Sequence, residues 1–123
     1  MAGMSGQGTT MLGVLVIVVA VGAAQQWWSD RKADDLGPAV AALAQTGDIR
    51  MISSRTCSSC MVAKAWFVRN QVAYSECTIE TDAACRRDFA ALGAPGTPLI
   101  QVRGRNQLGF NPDGIQAALQ PRP

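Results

Sequence analysis

Four cysteines and no histidine limit the chemistry open to this chain. Without imidazole there is no Ser-His-Asp triad, no Cys-His pair and no His-ligated zinc. Any reaction must use thiols, carboxylates or the backbone. Cys57 and Cys60 stand in the run Cys57-Ser58-Ser59-Cys60. This spacing puts the second thiol about one helical turn after the first. The pair lies where a strand-like run, 49–53, gives way to a helical pattern. Near a helix N-terminus, unpaired N–H groups and the positive end of the macrodipole stabilise an anion. A free thiol of pKa about 8.5 is only about 3% ionised at pH 7, whereas such sites bring the pKa to roughly 3.5–7.5. Cys57 is therefore the expected nucleophile and Cys60 the resolving thiol. Arg55, two residues earlier, adds positive charge. Structural cysteines or half of a metal site are the competing readings. A CxxC between a strand and a helix in a β-α-β pattern favours redox chemistry.

Cys77 falls late in the next strand-like run. Cys85 falls in the first turns of a helical run, on a face with Phe89 and Leu92. Buried free cysteine is common, so structural thiols are the favoured reading. A second disulfide is the alternative, provided the Cα atoms come within about 7 Å. All four cysteines could instead hold zinc in a tetracysteine metal-binding module. Seven residues separate Cys77 from Cys85, which is long for such a site. A redox-inactive adaptor that only binds a membrane partner is a third class, and an unreactive Cys57 would favour it. Thr97-Pro98 opens the third strand, where a residue without an N–H belongs. Composition alone favours an ordinary trans bond there.

The elements that must position these residues follow from pattern. Residues 29–37, SDRKADDLG, read as a polar linker. Residues 38–46 read as a short helix with Pro38 at its first position. A strand is expected at 49–53 and a helix at 58–71. On that helix Met61, Ala65 and Val68 stack, with Val62 and Trp66 alongside. A second strand is expected at 72–79, then a helix from Asp82 capped by Thr81. A loop follows at 93–96 and a third strand at 98–102. Gly104-Arg105-Asn106 is the expected turn, and 107–110 the fourth strand. Asn111 and Pro112 open a last helix whose inward residues are Ile115, Ala118 and Leu119. The order β-α-β-α-β-β-α predicts an α/β unit with a four-stranded mixed sheet. Its first two strands are parallel and its last two form a hairpin.

Residues 11–24, MLGVLVIVVAVGAA, carry no charge, and Trp27 and Trp28 follow. The run 11–28 spans about 27 Å as a helix, close to a hydrocarbon core of about 30 Å. Paired tryptophans suit the membrane interface. A retained transmembrane anchor is the favoured reading. A cleaved signal would begin with Lys or Arg, and MAGMSGQGTT has neither. A buried core helix would need protein on every side. The expected organisation is thus an anchor at 1–28, a linker and short helix at 29–47, and a domain at 48–123. Arg31 and Lys32 follow the span, which places the domain in the cytoplasm. An even number of cysteines suits an extracytoplasmic alternative.

At 48–119 the chain resembles glutaredoxin. The resemblance rests on the strand–CSSC–helix unit, YSECTIETD, LGAPGTPLI, a Gly-containing turn and a last helix. It implies a thioredoxin-like fold with sheet order 2-1-3-4 and a cis Thr97–Pro98 bond packed against Cys57. It also implies thiol–disulfide exchange, with Thr97 and Pro98 shaping a substrate groove. Glutathione, not held as a bound cofactor, would be a candidate electron donor. The segment Leu108-Gly109-Phe110-Asn111-Pro112 departs from the Gly-Gly-acidic pattern of many glutaredoxins. It is closer to the Gly-Phe-x-Pro of redoxins recharged by thioredoxin reductase. Gly109 and Phe110 are therefore candidate substrate-binding residues, and thioredoxin reductase is the other candidate donor.

Composition closes off other classes. A net charge of +2 with 16% charged residues offers no basis for nucleic-acid binding. Hydrophobic residues at 48% are too many for a disordered chain. Gly104 and Gly109 lack the strand–loop–helix context of a phosphate-binding loop.

Overall fold

A computed structural model describes residues 5–121 of the chain. The first element is a long helix, α1 (Ser5–Leu43). Then follow β1 (Ile49–Ser53), α2 (Ser58–Arg69), β2 (Ser75–Thr78), α3 (Ala83–Ala91), β3 (Leu99–Val102), β4 (Arg105–Leu108) and α4 (Pro112–Leu119). The chain divides into two compact units, one up to Asp34 and one from Asp35.

In the first unit, α1 is apolar from Met11 to Val21 and these side chains are exposed. A stretch of this helix within Thr10–Leu43 is long and apolar enough to cross a membrane, and none of its apolar window is buried. The buried-core reading of this segment therefore fails. Residues 1–4 of the expected anchor lie outside the described residues.

Residues 29–37 are helical rather than the expected linker. Arg31 lies over the ring of Trp27, 4.0 Å from its centroid. This i,i+4 pair supports the helix where charge begins. Pro38 lies inside α1 and does not start a new helix. An interior proline removes one hydrogen bond and costs about 3 kcal/mol. Burial of the turns around it offsets that loss. Val40 is fully buried, and Leu36, Ala41, Leu43 and Ala44 pack around the same core. The second unit therefore begins before residue 48, and the expected boundary is corrected to Asp35.

The second unit has a four-stranded sheet in the order β2-β1-β3-β4. β1 runs parallel to β2 and antiparallel to β3. Alternation along β1 sends Ile49 and Met51 to one face and Ile52 to the other. Ile49 and Met51 join Ile100 and Val102 in the larger core, with Ala63, Trp66, Phe67, Ile115 and Leu119 from α2 and α4. The opposite face holds a small cluster of Ile52, Cys85 and Leu99, which α3 covers.

Several local expectations shift. α2 buries Cys60, Ala63, Trp66 and Phe67. Met61, Val62 and Val68 are instead 71%, 61% and 62% exposed. Of the apolar stripe expected on this helix only Trp66 turns inward, beside Phe67, and Met61, Val62, Ala65 and Val68 form the outer face. Phe67 stacks on Tyr74 at 4.8 Å and meets Phe110 edge-on at 6.0 Å. β2 is shorter than expected, since Gln71 turns into the left-handed region and Val72 then packs from a loop. Asp82, one residue after the expected Thr81, caps α3 and accepts from the Cys85 N–H. Leu92 lies past the end of α3 and is exposed. The hairpin turns at Arg103 and Gly104, both with positive φ, so β4 starts at Arg105. Two left-handed residues match the twist of paired strands, and this places the turn earlier than the glycine and its followers suggest.

The Arg103 guanidinium donates to the Leu119 carbonyl at 2.8 Å and to Asp48 at 3.1 Å. The Asp48 carboxylate also accepts from the Gln45 N–H at 2.9 Å. Arg103, and next the Gln45 N–H, hold the Asp48 carboxyl below its usual range. A folded-state pKa below the unfolded one stabilises the fold above the unfolded pKa. That contribution is lost as pH falls through the folded value. Thermal unfolding followed from pH 7 down through the carboxylate range should show an acid decline that Asp48→Asn makes shallower. An unchanged decline would remove Asp48 from the account.

Candidate functional site

β1 ends at Ser53, and a tight turn carries the chain to Cys57 at the start of α2. The Cys57 N–H donates to the Ser54 carbonyl at 3.3 Å. Cys57 itself is the N-cap of α2, with extended backbone, and its Sγ accepts from the Cys60 N–H at 3.1 Å. A sulfur thus occupies the position where a serine or aspartate oxygen ordinarily caps a helix. The same N–H that caps the helix would stabilise a Cys57 thiolate. Cys57 and Cys60 form a disulfide, with Cα atoms 5.2 Å apart. Cys57 is half-buried, whereas Cys60 is 4% exposed. An incoming sulfur therefore meets Cys57 first.

The structure places the other expected residues as follows. Thr97–Pro98 is a cis bond, against the composition reading and in line with the glutaredoxin resemblance. Ile52 pairs with Leu99 across β1 and β3, so Thr97 and Pro98 lie at the sheet end from which β1 leads to Cys57. The Gly109 N–H donates to the Pro98 carbonyl at 2.8 Å. Gly109 has φ 82°, which suits glycine at this position. Phe110 is half-buried, with its ring edge-on to Trp66 at 5.4 Å. Its observed partners are core aromatics.

Arg55 is exposed in the turn before Cys57. A residue not singled out from sequence faces it. Glu80 accepts from the Ser54 hydroxyl in a short hydrogen bond. Both Glu80 carboxylate oxygens accept from the Arg55 N–H at 3.3 Å. The Ser54 hydroxyl, more than the Arg55 contacts, holds the Glu80 carboxyl below its usual range. The positive field expected from Arg55 is therefore opposed by an adjacent carboxylate. Parallel register explains the meeting. Ser53 pairs with Thr78, so two residues further on Arg55 and Glu80 are neighbours. The signal was in the sequence only as register, which spacing does not reveal.

Cys77 and Cys85 are bonded, with Cα atoms 6.0 Å apart. This corrects the expectation of two structural thiols. Cys77 pairs with Ile52 on the face that α3 covers, and Cys85 points from the first turn of α3 into the same cluster. The burial expected of Cys85 holds, since it is 0% exposed. The four cysteines separate into two bonded pairs. Among the described residues, no three of His, Cys, Asp and Glu converge as metal ligands. The tetracysteine alternative loses its geometric basis.

Several solved structures are similar to this chain. The thioredoxin-like protein BC3987 is 27% identical, with a TM-score of 0.51, and the match covers 57% of this chain and 97% of that protein. The glutaredoxin grx-1 from Archaeoglobus fulgidus is 15% identical, with a TM-score of 0.50, covering 60% of this chain and 87% of its own. A mutated buckwheat glutaredoxin is 16% identical, with a TM-score of 0.50, covering 73% and 92%. No protein-family profile matches the chain, and no curated protein matches it. At such identities the two glutaredoxins bear on fold alone. The second unit has a thioredoxin-like fold, preceded by a long apolar helix, and its cysteine pairs support a thiol oxidoreductase role.

Proposed function

We propose that this protein is a membrane-tethered thiol–disulfide oxidoreductase of glutaredoxin type. The observation that carries the reading is Cys57 at the cap of α2, its sulfur facing the Cys60 N–H and more accessible than Cys60. In the reduced protein the Cys57 thiolate attacks a substrate disulfide. A mixed disulfide forms and one substrate thiolate leaves. The Cys60 thiolate then attacks Cys57 Sγ, the second substrate thiol departs, and the Cys57–Cys60 bond closes. Two electrons pass to the substrate. Two glutathione molecules, or thioredoxin reductase, would restore the dithiol. Thr97 and Pro98 would shape the groove for an extended substrate. Gly109 would support Pro98 from behind, with Phe110 anchoring that segment on the core.

Residues 11–28 are the proposed tether. Arg31 and Lys32 argue for a cytoplasmic domain, and the closed Cys77–Cys85 bond argues for an oxidising side. The two signals point to opposite sides of the membrane, and a glutathione titration separates them.

One titration tests donor and compartment together. The full chain in detergent is oxidised, equilibrated with glutathione at graded ratios, and its thiols are mapped by alkylation and mass spectrometry. Opening of Cys57–Cys60 with a glutathione adduct on Cys57 is the expected result for glutathione as donor. Resistance of that bond would move the role to thioredoxin reductase. Opening of Cys77–Cys85 at cytosol-like ratios would remove the argument for the oxidising side.

A further inference from the structure

We propose that Glu80 is a positioning residue for Cys57, and that the Cys77–Cys85 bond keeps Glu80 in place. The inference rests on the reading of Cys57 as nucleophile.

Ser54 is the link. Its hydroxyl donates to Glu80, and its carbonyl accepts from the Cys57 N–H. Its Oγ also accepts from the Thr56 N–H at 3.4 Å. Glu80 takes the Arg55 N–H with both carboxylate oxygens. Every residue between β1 and Cys57 is therefore tied, directly or through Ser54, to one carboxylate. That turn sets the extended backbone of Cys57 from which its sulfur reaches the Cys60 N–H.

Glu80 sits in a turn, not in a strand or helix. The Ile79 N–H donates to the Ser53 carbonyl at 3.0 Å, and the Thr81 and Asp82 N–H groups donate back to Thr78. The segment is closed at its two ends by Cys77 and Cys85. On this face α3 has only a small cluster to pack on, and Cys85 is one of its three buried members. Arg50 adds a bond to Asp88 at 3.0 Å and one to Cys77 Sγ at 3.4 Å. A dithiol that reduces Cys77–Cys85 becomes a disulfide and leaves two thiols in the protein. The segment carrying Glu80 then loses its covalent closure, and the clamp on Ser54 and Arg55 loosens.

The sign of the effect separates positioning from simple charge. Removing a carboxylate near Cys57 would by field alone favour its thiolate and speed its reactions. Loss of the clamp lets Cys57 leave the cap, which disfavours the thiolate and slows them. The experiment follows Cys57 alkylation against pH in the full chain, in detergent, with the CxxC pair reduced and Cys77–Cys85 verified as closed. Glu80→Ala should slow alkylation at pH 7 by roughly five- to tenfold, the scale of losing one helix cap, and raise the midpoint of the profile. Glu80→Gln keeps an acceptor oxygen and should restore most of the rate. The double variant Cys77→Ala with Cys85→Ala should slow alkylation in the same direction. Adding Glu80→Ala to it should then change little, because coupled sites are not additive. Wild-type alkylation in Glu80→Ala, or acceleration, overturns the positioning role. Full multiplication of the two effects overturns the link to the disulfide. If the double variant does not fold, the wild-type chain with Cys77–Cys85 opened by excess dithiothreitol takes its place, with the same expected slowing. A wild-type Cys57 that titrates as an ordinary thiol, near pH 8.5, would instead defeat the nucleophile reading itself.

Discussion

Cys57→Ser should abolish disulfide turnover, while Cys60→Ser should leave the first half-reaction intact. Serine can still cap α2, since its oxygen fills the place the sulfur holds beside the Cys60 N–H. Stability should therefore change little, and the loss reads chemistry. A hydroxyl has no anion near neutral pH to attack sulfur. Loss of a covalent nucleophile costs about a thousandfold or more in rate. In Cys60→Ser the Cys57 thiolate still attacks, but nothing on the chain resolves the product. Cys60 is almost fully buried, so external thiols must reach the mixed disulfide from the Cys57 side. The expected result is a stable adduct on Cys57, seen by non-reducing mass spectrometry, with its partner releasable by dithiothreitol. Full dithiol turnover in Cys60→Ser would reverse the assigned roles. Full turnover in Cys57→Ser would end the proposed mechanism.

The place of Cys57 and Cys60 at the head of α2 was legible because CxxC, a strand before it and a helix after it are all local. The exposed order of the two thiols follows from the cap position alone. Glu80 was not legible. It lies twenty-five residues from Arg55, and only the pairing of Ser53 with Thr78 brings them together. The Cys77–Cys85 bond was half legible. Burial of Cys85 followed from its neighbours Phe89 and Leu92, but which sheet face Cys77 shares with it depends on the same register. Phe110 shows a different gap. A motif carried by resemblance marked it for substrate, and the structure gives its ring to Trp66 and Phe67. Short strands were placed to within a residue or two wherever a glycine or proline marked their ends.

The clearest misreading concerns where the domain begins, and it carries the second large prediction. Gly37-Pro38 and the charges before them read as a linker, because proline ordinarily starts a helix. Tertiary burial overrides that preference. Val40 has no exposed surface, and Leu36, Leu43 and Ala44 pack beside it on the core that Ile49, Phe67 and Leu119 share. Gln45 also supplies a donor to Asp48. A chain starting at residue 48 loses this cover and exposes the surface beneath. Full burial of one Val or Leu contributes about 1.5–3 kcal/mol, so the exposed site should cost roughly 3–5 kcal/mol. Domains of this size have about 5–15 kcal/mol in total. Residues 48–123 should therefore unfold at markedly lower urea than residues 35–123, or bind a hydrophobic dye without denaturant. Val40→Ala in the longer piece should show part of the same loss, about 1–3 kcal/mol. Equal urea midpoints for the two pieces would mean that the C-terminal turns of α1 only lie on the domain. A lowered midpoint means that they are its first structural element, with Val40 and its neighbours as much a part of the second unit's core as Ile49 and Phe67.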